Sequence, residues 1–185
     1  RLLRGNRTTK QSAEEFNAFE SFNYPHLVDA GINITYHTAR MLHPDWDKPM
    51  IPHFKLDNNV IIFSLFPGIR EDLVRHVIAT PNLKSIVMRT FGSGNAPQRP
   101  WVMHALKEAT HNGKVVINIS QCIQGAVEMG RYDTGYQLQE AGVISGYDST
   151  VENAVTKLMY LQSIFDDPET VRYYMRQSIR GEITV

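Results

Sequence analysis

The stretch Lys84-Ser85-Ile86-Val87-Met88-Arg89-Thr90-Phe91-Gly92-Ser93-Gly94-Asn95-Ala96-Pro97 decides the fold. It begins as an apolar, β-branched run, turns cationic at Arg89, and breaks into a loop of two glycines, an asparagine and a proline. A run of that kind reads as a buried strand, and a loop of that kind as the punctuation before a helix. In an open α/β sheet ligands sit beyond the carboxyl ends of the strands. Arg89 and the Gly92 to Asn95 loop therefore stand where a site is expected.

The same alternation continues on both sides. Upstream, Val60 to Phe66 reads as a strand, Pro67-Gly68 as a sharp turn, and Glu71 to Ala79 as a helix with Leu73, Val74, Val77 and Ile78 on one side. Downstream, a helix is expected from about Gln98 to Thr110, with Val102, Ala105, Leu106 and Ala109 at core spacing and Asn112-Gly113 as its stop. Lys114 to Ile119 is a third strand. Strand, helix, strand, helix, strand is the signature of a parallel sheet with crossover helices. Ser120-Gln121-Cys122 ends the third strand, which brings Cys122 near Arg89 and Asn95. Cys122 has no local histidine to activate it, so a neutral thiol, buried or beside a ligand, is expected rather than a nucleophile.

From Gln124 to Gly135 the chain reads as loop, including the polar run Arg131-Tyr132-Asp133-Thr134. A short helix follows over Gln137 to Ala141, then a brief strand at Val143-Ile144. Ser149-Thr150-Val151-Glu152 has the form of a capping box opening a helix with Val151, Ala154, Val155, Leu158, Met159 and Phe165 as its apolar stripe. Asp167-Pro168 starts the last helix, which turns Val171, Tyr174 and Met175 inward.

The first ten residues carry four cations and no acid. They can present Arg7, Thr8, Thr9 and Lys10 to an anionic or amide-bearing ligand, or form a solvated basic turn. A short helix over Glu14 to Phe19 and a strand over Gly31 to His37 are expected, and the prolines and aspartates between His43 and His53 mark a linker. His26, His37, His43 and His53 match no helix-face or Cys/His ligand pattern, and no acidic residue falls at a fixed offset. No metal site and no cofactor are read from them.

Basic and acidic residues balance at 19 each, so no global attraction to nucleic acid or to an anionic membrane is expected. No apolar run approaches the roughly 18 residues of a membrane span, and a soluble protein is expected. Cys122 is the one cysteine, which excludes an intrachain disulfide and fits a reducing cytoplasm. Asn6, Asn33 and Asn118 each open an Asn-x-Ser/Thr triplet. The last lies inside an apolar run, and all three read as chance. The start at Arg1, with neither methionine nor signal core, suggests that an upstream portion is missing.

Four ordered blocks carry a resemblance: Arg4 to Lys10, Ile86 to Gln98, Asn118 to Cys122, and Gly142 to Glu152. Together they resemble the C-terminal part of bacterial type I, cytoplasmic L-asparaginases, with Phe91 where tyrosine is usual. The resemblance implies two α/β domains. Residues 1–49 would be the end and linker of a truncated N-terminal catalytic domain. Residues 50–185 would be a small Rossmann-like C-terminal domain with a parallel sheet and helices on both faces. It further implies an amidohydrolase that converts L-asparagine to L-aspartate and ammonia through a threonine nucleophile. The family's Thr-Gly-Gly-Thr segment and Thr-Asp pair are absent from this chain, so residues 1–185 alone are expected to be inactive.

By the same resemblance Lys10 matches the catalytic lysine, and like charges at Arg4 and Arg7 would lower its pKa. Asn95 matches the asparagine lent to a neighbouring subunit, in a dimer or dimer of dimers. Thr9, Arg89 and Cys122 match the lining of a regulatory asparagine site, Arg89 as its carboxylate clamp. The alternative for Arg89 is a structural ion pair with an acid such as Asp148. Two alternatives for the whole chain are a non-catalytic amino-acid sensor and the asparaginase-like subunit of a tRNA-dependent amidotransferase.

Overall fold

A computed structural model describes residues 1–130 and 133–185. Its centre is a four-stranded parallel sheet of β5 (Val60–Ser64), β6 (Ser85–Thr90), β7 (Val115–Ser120) and β8 (Ile144–Ser145), in that spatial order. Before it come two small antiparallel hairpins, β1 (Thr9–Lys10) with β2 (Phe19–Glu20) and β3 (Val28–Ala30) with β4 (Ile34–Tyr36). Helices α1 (Glu71–Ile78), α2 (Pro100–His111) and α3 (Asp133–Glu140) are the crossovers between successive sheet strands, and α4 (Val151–Gln162) and α5 (Pro168–Met175) follow β8.

Alternation along β6 divides the core. Ile86 and Met88 pack with Val74, Val102, Leu106 and Leu138, the side of α1, α2 and α3. Val87 packs with Ile117, Ile119, Leu158 and Val171, the side of α4 and α5. Sequential parallel strands joined by crossovers of one hand put every crossover helix on the same face, so the helices after β8 are left to cover the other. The α/β class with helices on both faces follows. Among the described residues no helix is long and apolar enough to cross a membrane.

Three local expectations change. Glu14 to Phe19 is not helical, because the Ser12 hydroxyl accepts from the backbone N–H groups of Glu14 (3.2 Å) and Glu15 (3.0 Å) and turns the chain into the β1–β2 hairpin. Gly31 to His37 is strand only from Ile34, since Gly31 to Asn33 make the hairpin turn, with Gly31 N–H donating to the Asn33 carbonyl at 3.1 Å. The helix expected at Gln137 already includes Asp133 to Tyr136. A Cβ on Gly135 would lie 2.1 Å from the Met129 carbonyl oxygen, so this glycine serves a close helix approach and not a loop. The expected loop residues Arg131 and Tyr132 lie outside the described residues.

Candidate functional site

The loop after β6 is built as a tight, internally bonded turn. Phe91 and Asn95 bridge their backbones, with Phe91 N–H donating to the Asn95 carbonyl at 2.9 Å and Asn95 N–H to the Phe91 carbonyl at 2.8 Å. Gly94 has φ +111°, and a Cβ there would come within 2.7 Å of Val127 and 3.1 Å of the Asn118 amide. The fully buried Asn118 holds this turn from β7: its Nδ2 donates to the Gly94 carbonyl (2.9 Å) and its Oδ1 accepts from the Thr90 hydroxyl (2.6 Å). Asn118 is therefore a buried amide that orders the loop. The sequence marks Asn118 only as a chance triplet and as the start of a resemblance block, although an amide inside a β-branched run is the signal that could have found this role.

Asn95 is half-buried, and its side-chain oxygen accepts from the Thr134 hydroxyl at 2.8 Å. Thr134 lies in α3, so the Asn95 amide is oriented on the α1–α3 side, with its Nδ2 donor group left unbonded among the described residues. Arg89 alternates to the opposite face, the side of Val87 and α4. Its Nε is buried without a hydrogen-bond partner, and among the described residues its guanidinium makes no ion pair. The expected alternative, a pair with Asp148, is ruled out because Asp148 is taken by Arg7.

Thr9 belongs to that same side. Its hydroxyl donates to the Glu152 carboxylate at 2.6 Å, and Glu152 is in the first turn of α4. Glu152 is thus used by Thr9, and the N-cap of α4 is Thr150, whose hydroxyl accepts from Asn153 N–H at 3.1 Å, one residue later than the capping box expected from Ser149. Cys122 is exposed, which removes the buried one of the two settings expected for its thiol and leaves the one beside a ligand, and its N–H donates to the Ser120 hydroxyl at 2.9 Å. Between Arg89 and Cys122 lies Gln121, whose amide donates to the carbonyls of Leu65 (2.6 Å) and Arg89 (3.0 Å) and so ties three strand ends together.

Lys10 is exposed at the end of β1, where its backbone pairs with Phe19, and its side chain makes no hydrogen bond or ion pair among the described residues. Its expected charge neighbours are committed elsewhere. Arg4 donates to the carbonyls of Gly181 and Arg40 and lies over the Tyr24 ring, 4.1 Å from its centroid. Arg7 is buried and forks onto Asp148 with contacts of 2.7 and 2.6 Å. It also donates to the Glu182 carbonyl (2.9 Å), the Asn23 carbonyl (3.0 Å) and the Thr184 hydroxyl (3.1 Å). Burial pushes the Asp148 carboxyl up, but the bonds from Arg7 and Thr184 outweigh it and hold the group below its ordinary range. Arg7 and Asp148 thereby fasten the basic loop to the C-terminal strand ends.

A second buried pair anchors α4 to the C-terminal segment. Lys157 donates to Glu182 at 2.6 Å and to the carbonyls of Gln177 (2.5 Å) and Met175 (3.3 Å), a tripod of acceptors suited to an ammonium. Burial opposes charge on both groups. For Glu182 it is outweighed by Lys157 and by the backbone N–H groups of Ile179 and Arg180, so the carboxylate lies below its ordinary range. A cavity of about 600 Å³ over this pair, lined by Asn6, His53, Lys157, Tyr160 and Glu182 among others, contains none of the residues predicted from the sequence.

The hairpin also gathers residues that the sequence left apart. The Nε2 atoms of His26 and His37 lie 2.7 and 3.0 Å from one oxygen of Asp29.

The comparisons with known proteins fit this architecture. The model of the glutaminase/asparaginase C-terminal domain matches residues 59–175, which include the parallel sheet and helices α1 to α5. The chain belongs to the glutaminase/asparaginase family. It is 44% identical to L-asparaginase 1 of Escherichia coli over its full length, and 38% identical over 99% of its length to the human 60 kDa lysophospholipase. Among solved structures it resembles L-asparaginase I from Vibrio cholerae with a TM-score of 0.92 at 40% identity, 99% of the chain being covered. The chain spans 54% of the Escherichia coli protein, 32% of the human one and 55% of the Vibrio cholerae chain. The family and the C-terminal position expected from the four sequence blocks are thereby established.

Proposed function

We propose that this chain is the C-terminal portion of an L-asparaginase that hydrolyses L-asparagine to L-aspartate and ammonia. The observation that carries the reading is the half-buried Arg89 guanidinium at the carboxyl end of the sheet, without an ion pair among the described residues, in a chain matched along its whole length by an L-asparaginase. A family domain that leaves a cation unpaired at that position has a carboxylate ligand to hold, and a guanidinium fork suits one.

In this reading the nucleophilic threonine lies upstream of these residues, and water resolves the acyl-enzyme. Lys10, presented on β1 with a side chain that makes no hydrogen bond among the described residues, relays the proton taken from the nucleophile. Residues 1–49 belong with the catalytic half, and 50–185 form the C-terminal domain. Asn95, with its oxygen oriented by Thr134 and its Nδ2 open, is lent to the site of a neighbouring subunit in a cytoplasmic homo-oligomer. Thr9, Arg89 and Cys122 line a regulatory asparagine site on the α4 side.

Calorimetry with L-asparagine tests the effector half of the reading. The chain is expected to bind without releasing ammonia, and Arg89→Ala to abolish the heat. Unchanged binding in that variant refutes the assignment of Arg89. Ammonia release by residues 1–185 alone, at the rate of a whole asparaginase, refutes an upstream nucleophile.

A further inference from the structure

We propose that His26, Asp29 and His37 form a binding site for one divalent transition-metal ion of the Zn²⁺ class. The sequence spacing conceals this because a hairpin makes it. Asp29 pairs with Thr35 across β3 and β4, and His37 lies two residues beyond Thr35, so their side chains share a face of the ribbon. His37 is fixed by its own N–H, which donates to the Leu27 carbonyl at 2.9 Å. His26 enters from the segment just before β3, its backbone carbonyl gripped by Arg40 at 3.0 Å, while the Arg40 carbonyl in turn accepts from the Tyr24 hydroxyl. Leu2 clasps the same segment, donating to the Val28 carbonyl and accepting from Leu27 N–H.

The ligand atoms already converge. His26 Nε2 and His37 Nε2 are 2.7 and 3.0 Å from Asp29 Oδ2, and the three donor atoms lie within 4.8 Å of one another. Zn–N and Zn–O bonds of about 2.0 to 2.2 Å in a tetrahedron separate the ligands by roughly 3.3 Å. Moving each Nε2 from its present 2.7 or 3.0 Å to about that distance from Asp29 Oδ2 makes room for the ion. The rings stand edge to face at 71° with centroids 5.3 Å apart, an arrangement that lets both nitrogens point at a common centre. No other such group of three metal-ligating side chains occurs among the described residues.

The charge and proton balance are simple. Two neutral imidazoles and one carboxylate leave a bound Zn²⁺ site at +1. With the ion bound each neutral ring carries its proton on Nδ1, which leaves the Nε2 lone pair for the metal. Side-chain exposures of 29% for His26, 28% for His37 and 45% for Asp29 leave a face open, so water completes the coordination. Two histidines and one carboxylate with an open position also suit Co²⁺ and Fe²⁺, which makes Co²⁺ a usable spectroscopic probe.

The test is titration of the EDTA-treated chain with Co²⁺, followed by visible absorption, and with Zn²⁺, followed by calorimetry. One ion per chain is expected, with a micromolar dissociation constant and the intense visible bands of low-coordinate Co²⁺. Asp29→Asn and His37→Ala should each weaken binding by about tenfold or more, whereas His53→Ala, which removes a histidine bonded to Ser163, should leave it unchanged. Imidazole resonances of the unaltered chain give a readout that needs no variant: two of the seven histidines should shift together on Zn²⁺ addition. Equal binding by wild type and Asp29→Asn overturns the site, as does the absence of paired histidine shifts at millimolar Zn²⁺.

Discussion

Replacing Asp148 by asparagine removes the charge that compensates a fully buried guanidinium. Arg7 is 2% exposed and spends two of its donors on Asp148 at 2.7 and 2.6 Å, while Thr184 N–H reaches the same carboxylate at 2.8 Å. An asparagine keeps one acceptor oxygen but turns an NH₂ toward other donors. Breaking a buried ion pair from one side costs about 3 to 5 kcal/mol. The lower end applies, because the Glu182 and Asn23 carbonyls and the Thr184 hydroxyl remain as acceptors for Arg7. At a urea m-value of about 2 kcal/mol/M the midpoint should fall by roughly 1.5 M. Urea unfolding followed by circular dichroism measures it. Arg7→Met combined with Asp148→Leu should lose less stability than either single change, since an apolar pair leaves no stranded charge. A midpoint shift under about 0.3 M for Asp148→Asn, or strictly additive losses, refutes this account of the clamp.

Asp148 and Glu182 both have folded pKa values below their ordinary ones. Each therefore contributes stability that is complete above its unfolded pKa of about 4 and is lost as the pH falls through the lowered folded value. Urea midpoints between pH 7 and pH 2 should converge for wild type and Asp148→Asn on the acid side, and parallel curves would exclude the linkage. Gly94→Ala forces a non-glycine residue to φ +111° and drives its Cβ to 2.7 Å from Val127. It should cost about 2 kcal/mol by urea unfolding. Thr150→Ala removes the N-cap of α4 and should cost about 1 kcal/mol, whereas Ser149→Ala should cost less, an order that the capping box expected from the sequence would reverse.

The elements that periodicity governs were legible. β5, β6 and β7 are short apolar runs between turn residues, and α1 and α2 carry periodic apolar positions, so their boundaries move by one or two residues, although Leu73, expected on the core side of α1, is exposed. Chemistry made by long-range contact was not. Arg7 and Asp148 are 141 residues apart, and no local pattern announces their fork. Glu152 looks like a capping residue until Thr9 arrives from the other end of the chain. His37 reaches His26 and Asp29 only through the turn at Gly31 to Asn33, which fixes a register that sequence offsets do not encode. Ser12 defeated the helix expected after it because a side-chain oxygen competed for the backbone N–H groups, a local signal that was present but outweighed by the acids and aromatics around it. The roles given to Lys10 and Asn95 rest on family resemblance, and what the structure adds is their surroundings: an unbonded ammonium on β1 and an amide turned by Thr134.

Ammonia release from L-asparagine by a chimaera tests the central claim most directly. Residues 1–185 replace the matched 54% of Escherichia coli L-asparaginase 1, and the same chimaera is made with Lys10→Met. The account predicts turnover by the first and, with the fold intact by circular dichroism, a rate about 10² to 10⁴ lower in the second. Equal rates in the two chimaeras would contradict it.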